Sequence, residues 1–478
     1  MTNSSKVQIF HRNTSAMRWL VLVTVSFAVF GAYFAYDSIS PARRVLENEL
    51  GFGPSSFSWL VGIYSLPNVL GMTLFGGILA DRKGIRFAGM LFMALTVFGV
   101  LLTSFGGSTL FRTSGLRDLI ASASLPWSPE FIVMFTGRII FGMGAEVLIV
   151  MQEKIIVRWF KGREISLAFG IGLVICRLGT IAAFNVTTHI LEFGKVLSFS
   201  FISDSAMMVV TDSYTTLNAV MWLSAIIMLL SAGSFMLYLA AEKRFDKENP
   251  DMAAALHPEG GSVSAIFKSP SFIWMSVLCF AFYAAVFPFT SFATDILQTK
   301  FGVSAGEAGF LTSIVMTSTI IGTPLFGWII DNYGFRSQIM ISGAVMMVAA
   351  HSMLTFTTIY PALPMVIMGI SFSAVPAGLW PGVAIFIEEK NNGAAYGFLG
   401  IVQNVGLMGV PLLMGLVTEL TNPGVTAYKV NEKLAVWNYT AAQMVLIGFA
   451  AVSLLAAWMI RRKALKENAN FFKASIHH

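Results

Sequence analysis

The chain has 478 residues, of which 56% are hydrophobic and only 12% are charged, whereas soluble globular domains carry roughly 25% charged residues. This composition excludes a water-soluble globule and favours an integral membrane protein. The formal net charge of +6 suits the anionic head groups of a lipid bilayer, and no nucleic-acid partner is expected. Cys176 and Cys279 both lie within apolar runs, so a disulfide framework is not expected either.

Twelve apolar runs recur along the chain, each close to the ~20 residues needed to cross a ~30 Å hydrocarbon core. They predict an all-α integral membrane protein with helices at 17–38, 57–80, 85–105, 130–158, 165–191, 217–241, 271–296, 306–330, 338–358, 361–388, 394–418 and 435–460. The first run exceeds the roughly 7–15-residue core of a secretory signal, so we interpret it as a retained helix. An even number of spans places both chain ends on one face. Most Lys and Arg residues fall on that face, which predicts cytoplasmic termini.

A charged linker with Pro and Gly residues divides the runs into two sets of six. The predicted domains are a cytoplasmic segment 1–16, a six-helix bundle 17–241, a cytoplasmic linker 242–270, a second six-helix bundle 271–460 and a cytoplasmic tail 461–478. The two sets also share sequence. The string "GGILADRKGIR" (76–86) returns as "FGWIIDNYGFR" (326–336), and "AFGIGLVICRLG" (168–179) returns as "AYGFLGIVQNVG" (395–406), at offsets of 250 and 227 residues. Two pseudo-symmetric six-helix bundles are one architecture of secondary transporters, which bind substrate near the midplane between the halves.

The first repeated string supplies candidate gating and coupling residues after predicted helices 2 and 8. Glycines permit a tight turn and close helix approach, while acidic and basic side chains can cap helix ends and lock the halves together on the inner side. The candidates are Gly77, Asp81, Arg82, Gly84 and Arg86 in the first half, and Asp331 and Arg336 in the second.

Two charged residues lie deep in predicted helices 4 and 5. Glu146 and Arg177 are roughly 21 and 18 Å from the inner ends of their helices at 1.5 Å per residue, where a charge costs about 3 kcal/mol or more unless it is paired or wetted. At the offset of 227 they correspond to Ser373 and Asn404, so the repeat does not keep the charges. This asymmetry favours a binding site for a zwitterion, and a purely structural Glu–Arg bridge is the alternative.

Further candidates lie in predicted helices 1, 4, 7, 10 and 11. Arg138 is expected to bond carbonyl groups, to help move protons or to pack helices, and Asp37 to form an outer gate or loop contact. Glu153 and Lys154 are either functional or a solvated pair. The remaining candidate substrate contacts are Tyr33 and Tyr36, which an aromatic belt also explains, Tyr283 and Trp380 in Pro-bearing helices, and Gln403 and Asn404.

Several strings resemble a known family. The G-x-x-x-D-R-x-G-x-R string at 77–86 and "GRIIFGMGAE" (137–146) resemble motifs of the major facilitator superfamily. "AYFAYDS", "CRLGT", "LWPGVAIF" and "AAYGFLGIVQNVGL" are more specifically similar to its lysosomal dipeptide transporter family, over roughly residues 30 to 415. The resemblance implies dipeptide transport, with Glu146 holding the amino end, Arg177 the carboxylate and Trp380 contacting the ligand. The sequence departs from this family at Glu153 and Lys154, where the family is uncharged.

We therefore expect an alternating-access transporter of dipeptides or similar small zwitterions, acting as a monomer without metal or cofactor. Uniport and proton symport both remain open, and symport requires Glu146 or another buried acid to bind a proton. A proton-coupled organic-anion carrier, in which Arg177 alone selects a carboxylate, and a non-transporting membrane sensor are the alternatives. No metal-ligand spacing, phosphate loop or Ser/His/Asp set indicates an enzyme. The amino terminus has no acidic dileucine sorting signal, which favours a bacterial cytoplasmic membrane over a lysosomal one.

Overall fold

The computed structural model describes residues 15–160, 164–201, 212–248, 263–388, 391–425, 436–467 and 471. Every regular element within these ranges is a helix. Residues 1–14, the centre of the predicted linker (249–262) and most of the predicted tail beyond residue 467 lie outside the described residues.

The helices of the first half run from residue 15 to residue 248. They are α1 Ser15–Asp37, α2 Arg43–Leu50, α3 Pro54–Gly62, α4 Leu66–Val69, α5 Met72–Lys83, α6 Ile85–Gly106, α7 Thr109–Arg112, α8 Gly115–Ser122, α9 Pro129–Phe160, α10 Ile165–Phe201 and α11 Asp212–Glu248. A 3₁₀ turn at Ile63–Ser65 joins α3 to α4.

The second half has fewer connecting helices. It comprises α12 Val263–Ile266, α13 Pro270–Phe301, α14 Ala305–Tyr333, α15 Arg336–Phe356, α16 Ala362–Phe386, α17 Asn392–Thr421 and α18 Thr440–Glu467. The predicted all-α membrane fold is confirmed: within the described residues, eleven helices are long and apolar enough to cross a bilayer, and a bent pair supplies a twelfth span.

The bent pair corrects the prediction of one uninterrupted helix at 57–80. The segment Pro54–Val69 meets Met72–Ala80 at an angle of 49°. Gly71 has φ +89°, a left-handed conformation that favours glycine, so the helix breaks there. The buried Asn68 spans the break, since its Nδ2 donates to the Gly142 carbonyl at 3.3 Å and its Oδ1 accepts from Thr73 at 2.8 Å.

Glycines set the closest helix contacts within the first half. A Cβ atom added to Gly99 of α6 would lie 2.2 Å from the Phe141 nitrogen of α9, and one added to Gly142 would lie 1.9 Å from the Tyr64 carbonyl oxygen. Small residues at membrane helix interfaces allow backbones to approach in this way. The contact at Gly142 places the 3₁₀ turn and its Tyr64 directly against α9.

Among the described residues, the two halves pack on each other mainly towards one face of the molecule. We call the face with Ser15 and Glu467 the terminal face and the opposite one the loop face. Towards the loop face α10 packs on α14 and α3 on α17, and a Cβ atom on Gly309 would lie 2.4 Å from the Phe184 oxygen. Towards the terminal face, a Cβ atom on Gly170 or Gly397 would meet nothing within 4 Å. The structure is therefore closed at the loop face and open towards the terminal face.

Replacement of Gly142 tests this packing. We expect Gly142→Ala to lower the apparent melting temperature of the detergent-purified protein, because overpacking costs about 1–3 kcal/mol and the added Cβ would meet backbone atoms of Tyr64. Gly233→Ala is the matched control, since its Cβ would meet nothing within 4 Å. Equal melting temperatures for the two variants would contradict the contact.

Candidate functional site

A cavity lies between the halves near the middle of the spans. It has a volume of about 540 Å³, which includes space open to solvent. Its wall is formed by Ala32, Tyr33, Tyr36, Asp37, Tyr64, Phe141, Ala145, Glu146 and Ile149 of the first half, and by Phe287, Gln403 and Leu407 of the second. The structure thus brings together five of the residues singled out in the sequence, namely Tyr33, Tyr36, Asp37, Glu146 and Gln403.

Glu146 is the half-buried carboxylate of this cavity. The Tyr64 hydroxyl donates a hydrogen bond to its Oε1, and the Tyr64 ring packs on Tyr36 with centroids 4.6 Å apart. Sequence reasoning missed Tyr64, which reaches Glu146 only because of the tight contact at Gly142. The alternative of a structural Glu146–Arg177 bridge is not seen, since the two described side chains form no ion pair.

Arg177 adjoins the cavity behind Tyr33 and contacts both halves. Its guanidinium carbon lies 5.9 Å from the ring centroid of Tyr33 and 5.3 Å from that of Phe372. Its Nη1 lies 3.6 Å from the Met316 sulfur, a weak acceptor, and its buried Nε has no hydrogen-bond partner. Since a buried unsatisfied donor costs free energy, this cation is suited to receive an acceptor.

Arg138 contacts the aromatic residues of the cavity wall, and Asp37 is part of that wall. Arg138 is buried, donates through Nε to the Leu60 carbonyl at 2.9 Å and lies 5.0 Å from the ring centroid of Tyr36. This contact agrees with the carbonyl-bonding interpretation. Asp37, which we expected at an outer gate or loop, is buried and lines the cavity itself. The cavity therefore has two acidic side chains and is flanked by two arginines.

The remaining second-half candidates lie one layer behind the wall. Trp380 Nε1 donates to the Tyr283 hydroxyl at 2.9 Å, and Tyr283 stacks on the wall residue Phe287 with centroids 5.8 Å apart. Asn404 donates to Gly400 of its own helix at 3.0 Å, and its Oδ1 is buried without a partner. Tyr283, Trp380 and Asn404 therefore lie behind the residues that line the cavity and do not form its surface.

The repeated loop motif lies at the terminal face. Gly84 and Gly334 have φ +88° and +76°, which explains the glycines at these turns. A Cβ atom on Gly77 would meet nothing within 4 Å, so the close approach expected there is absent. Arg336 is buried with its guanidinium 5.5 Å from the Phe471 ring centroid. The other motif candidates are Arg82, Arg86 and Asp331, which are exposed, and Asp81, whose side chain lies outside the described residues.

The ionic contacts between the halves are found at the loop face, whereas the sequence led us to expect an ionic lock on the terminal side. Arg43 of α2 is fully buried and pairs with Asp295 of α13. Arg44 Nε lies 2.5 Å from the same carboxylate, and Tyr439 donates to it as well. The Trp437 indole donates to Glu47 at 2.6 Å. Among ion pairs formed by two described residues, only those at this loop-face cluster join the halves. Nothing in the sequence indicated the Arg43–Asp295 ion pair, because the two residues are 252 positions apart in the chain.

Two further carboxylates join the halves through helix amino ends. Glu419 of α17 accepts from the Ser55 backbone nitrogen at 3.0 Å and from its hydroxyl at 2.7 Å. Glu192 of α10 accepts from the Gly306 backbone nitrogen at 2.6 Å. Ser55 and Gly306 are each the second residue of their helix, where the dipole favours an anion. Glu192 and Glu419 are related by the repeat offset of 227, so extending the repeat along the chain would have found these acidic caps.

Comparison with known proteins places this geometry in a family. Residues 25–296 and 287–476 match the family model described as Major Facilitator Superfamily. Two relatives named lysosomal dipeptide transporter MFSD1, from Bos taurus and Homo sapiens, are 28% and 29% identical over 412 residues, which is 84% of this chain and 80% of theirs.

Solved structures share the fold. A bacterial homologue of the human lysosomal transporter Spinster, in an inward-facing and unoccupied conformation, has a TM-score of 0.66 at 16% identity and covers 95% of this chain and 99% of its own. The xylose transporter XylE from E. coli, in a partially occluded inward-open conformation, has a TM-score of 0.59 at 14% identity and covers 94% and 98%. A mutant of the nucleoside transporter NupG has a TM-score of 0.62 at 15% identity and covers 92% and 99%.

Removal of both acidic caps is expected to open the loop face. A carboxylate at a helix amino end contributes about 0.3–1 kcal/mol, and up to ~2 kcal/mol when partly buried, so Glu192→Gln with Glu419→Gln shifts the closed-to-open ratio by roughly 3- to 30-fold, and by more where the caps are partly buried. Electron paramagnetic resonance distances between labels at the exposed Leu119 and Leu420, in a Cys176→Ser, Cys279→Ser background, would lengthen. An unchanged distance distribution would show that the caps do not hold this face closed.

Glu49 of α2 makes stability at the loop face depend on pH. Burial raises the pKa of its carboxyl from 4.5 to about 7, despite Arg112 at 3.5 Å. Because the unfolded chain loses this proton at lower pH than the folded chain, the free energy of unfolding falls as pH rises from about 4.5 to 7. We expect Glu49→Gln to melt at a higher temperature than wild type at pH 8, with a smaller difference at pH 5. Asp118→Asn, at an 82% exposed side chain of the same face, serves as the control and should show no such trend.

Proposed function

The chain belongs to the Major Facilitator Superfamily of membrane transporters, and on that premise we propose that it carries dipeptides or similar small zwitterions by alternating access. The terminal face is then the cytoplasmic one. We place the protein in a bacterial cytoplasmic membrane, with a lysosomal membrane, where its relatives are named to act, as the alternative.

One observation carries the proposal: the cavity presents a carboxylate and adjoins a cation that is not paired with it. Glu146 lines the cavity, and Arg177 lies behind Tyr33 with its buried Nε lacking a partner. Charge-assisted hydrogen bonds to a guanidinium or a carboxylate are the strong ones. A molecule with an ammonium at one end and a carboxylate at the other satisfies both groups, whereas a purely anionic ligand satisfies only Arg177. The relatives named as dipeptide transporters support the same substrate class.

Binding at Arg177 would also couple the substrate to the arrangement of the halves. In the structure, the guanidinium of Arg177 contacts Met316 and Phe372 of the second half. A substrate carboxylate bonded to Arg177 replaces these weak contacts with stronger ones. A ligand shifts a conformational equilibrium only by its differential affinity for the two states, and this exchange of partners is a physical source of such a difference.

A ligand panel tests the proposal through thermal stabilisation of the purified protein, because a ligand that binds only the folded state raises its melting temperature by mass action. We expect dipeptides to stabilise the wild type, and blocking either terminus to remove the effect. Arg177→Ala is expected to abolish stabilisation, and Arg177→Lys to weaken it at least tenfold in apparent affinity, since the fork of donors is lost.

Glu146→Gln addresses amine binding and proton coupling together. If the carboxylate holds the amine, both exchange and uphill uptake in vesicles weaken. If it carries the coupling proton and does not hold the amine, exchange survives while uphill uptake is lost. Stabilisation by dicarboxylates alone, with dipeptides inert, would overturn the proposal in favour of an organic-anion carrier.

A further inference from the structure

The inner half of α9 has a second carboxylate that the site described above does not use. Glu153 lies seven residues beyond Glu146, which is about 20° short of two helical turns at roughly 100° per residue, and about 10 Å along the axis. The two side chains therefore share one face of α9. Ile149, between them on that face, lines the cavity.

The neighbours of Glu153 show where this face points. Gln152 donates to Ser26 of α1 at 2.9 Å, so that flank of α9 packs on α1. Lys154 donates to the Gly77 carbonyl of α5 at 3.1 Å, so the other flank packs on α5. Glu153 lies between these directions and is directed into the space between the halves. The interpretation of Glu153 and Lys154 as a solvated pair is therefore not supported.

Exposure increases along this face towards the terminal side. Glu146 and Ile149 are half-buried, while Glu153 and, one turn further, Val157 are exposed. Such a gradient is expected along the wall of a passage that widens from the cavity to the terminal face. Glu153 forms no ion pair with any described residue. Its charge is thus available to a solute in the passage.

We propose that Glu153 is an approach site for the amino end of the substrate, which attracts the ammonium group at the terminal face and delivers it to Glu146. This inference rests on the proposed zwitterionic substrate. A charge beside an entry path raises the association rate through electrostatic steering, and salt screens the effect. Because Glu153 is not a contact of the final complex, its removal slows association more than it speeds dissociation.

Stopped-flow tryptophan fluorescence of the detergent-purified full chain with alanylalanine measures both rates. In Glu153→Gln, we expect association to slow about 3- to 10-fold at low ionic strength, with the difference falling below about twofold near 1 M salt, where the Debye length is ~3 Å. The dissociation rate stays within about twofold. Glu153→Asp retains most of the wild-type association rate. Glu164→Gln removes an equal charge that faces Arg18 at 3.7 Å and leaves association unchanged.

The possible outcomes separate the two proposals. Unchanged association in Glu153→Gln, or equal slowing in Glu164→Gln, overturns the approach site while leaving dipeptide binding intact. Faster dissociation as the main effect would make Glu153 part of the final binding site and also overturn the proposal. Absence of a saturable signal with alanylalanine in the wild type overturns the proposed function, and the approach site with it.

Discussion

The free-energy cost of placing charge in a low-dielectric interior limits where charged residues lie in this protein and how they are paired. A buried ion is tolerated only when another charge, a hydrogen bond or water offsets its lost hydration. Within the bundles, glycine contacts and apolar side chains hold most helices together, and the buried Glu242 of α11 is paired with Arg158 of α9. The charges of Glu146, Arg177 and the pair Arg43–Asp295 instead lie where the two bundles face each other. The energy of the surface between the halves therefore depends on ligands, ions and conformation.

The repeat separates two kinds of interfacial charge. In the centre, Glu146 and Arg177 have no charged counterpart in the second half, so the cavity is electrostatically one-sided. At the loop face, Glu192 and Glu419 are equivalent and each accepts from the amino end of a helix in the other half. The contacts that close the loop face thus follow the internal repeat, whereas the charged groups of the proposed binding site occur in the first half alone. A pseudo-symmetric scaffold can keep its opening and closing geometry while one half specialises in binding.

Much of the fold was predictable because membrane spans are encoded locally. Each run of apolar residues fixes a helix by itself, and the repeated strings identified the two bundles. The interruption at Gly71 was not foreseen, since one glycine in an apolar run is compatible with a continuous helix and only its positive φ reveals the break.

The site was only partly predictable. Glu146 and Arg177 could be found because charges in apolar runs are rare and costly. Tyr64, Asp295 and Tyr439 could not, because their roles depend on contacts between segments far apart in the chain. Tyr283, Trp380 and Asn404 lie behind the cavity wall because residue type and helix position do not specify which layer a side chain occupies.

The two acidic caps determine which substitutions are tolerated at the helix residues opposite Glu192 and Glu419. Glu192 and Glu419 are held by backbone nitrogens, which every residue except proline supplies. The residues that supply these nitrogens can therefore differ. Ser55 also donates its hydroxyl to Glu419, whereas Gly306 donates only its backbone nitrogen to Glu192. The glycine has less latitude, since a Cβ atom on Gly306 would lie 2.6 Å from a carboxylate oxygen of Glu192. A side chain at position 306 would therefore displace the carboxylate of Glu192 from its backbone partner, whereas a side chain at position 55 is already present beside Glu419.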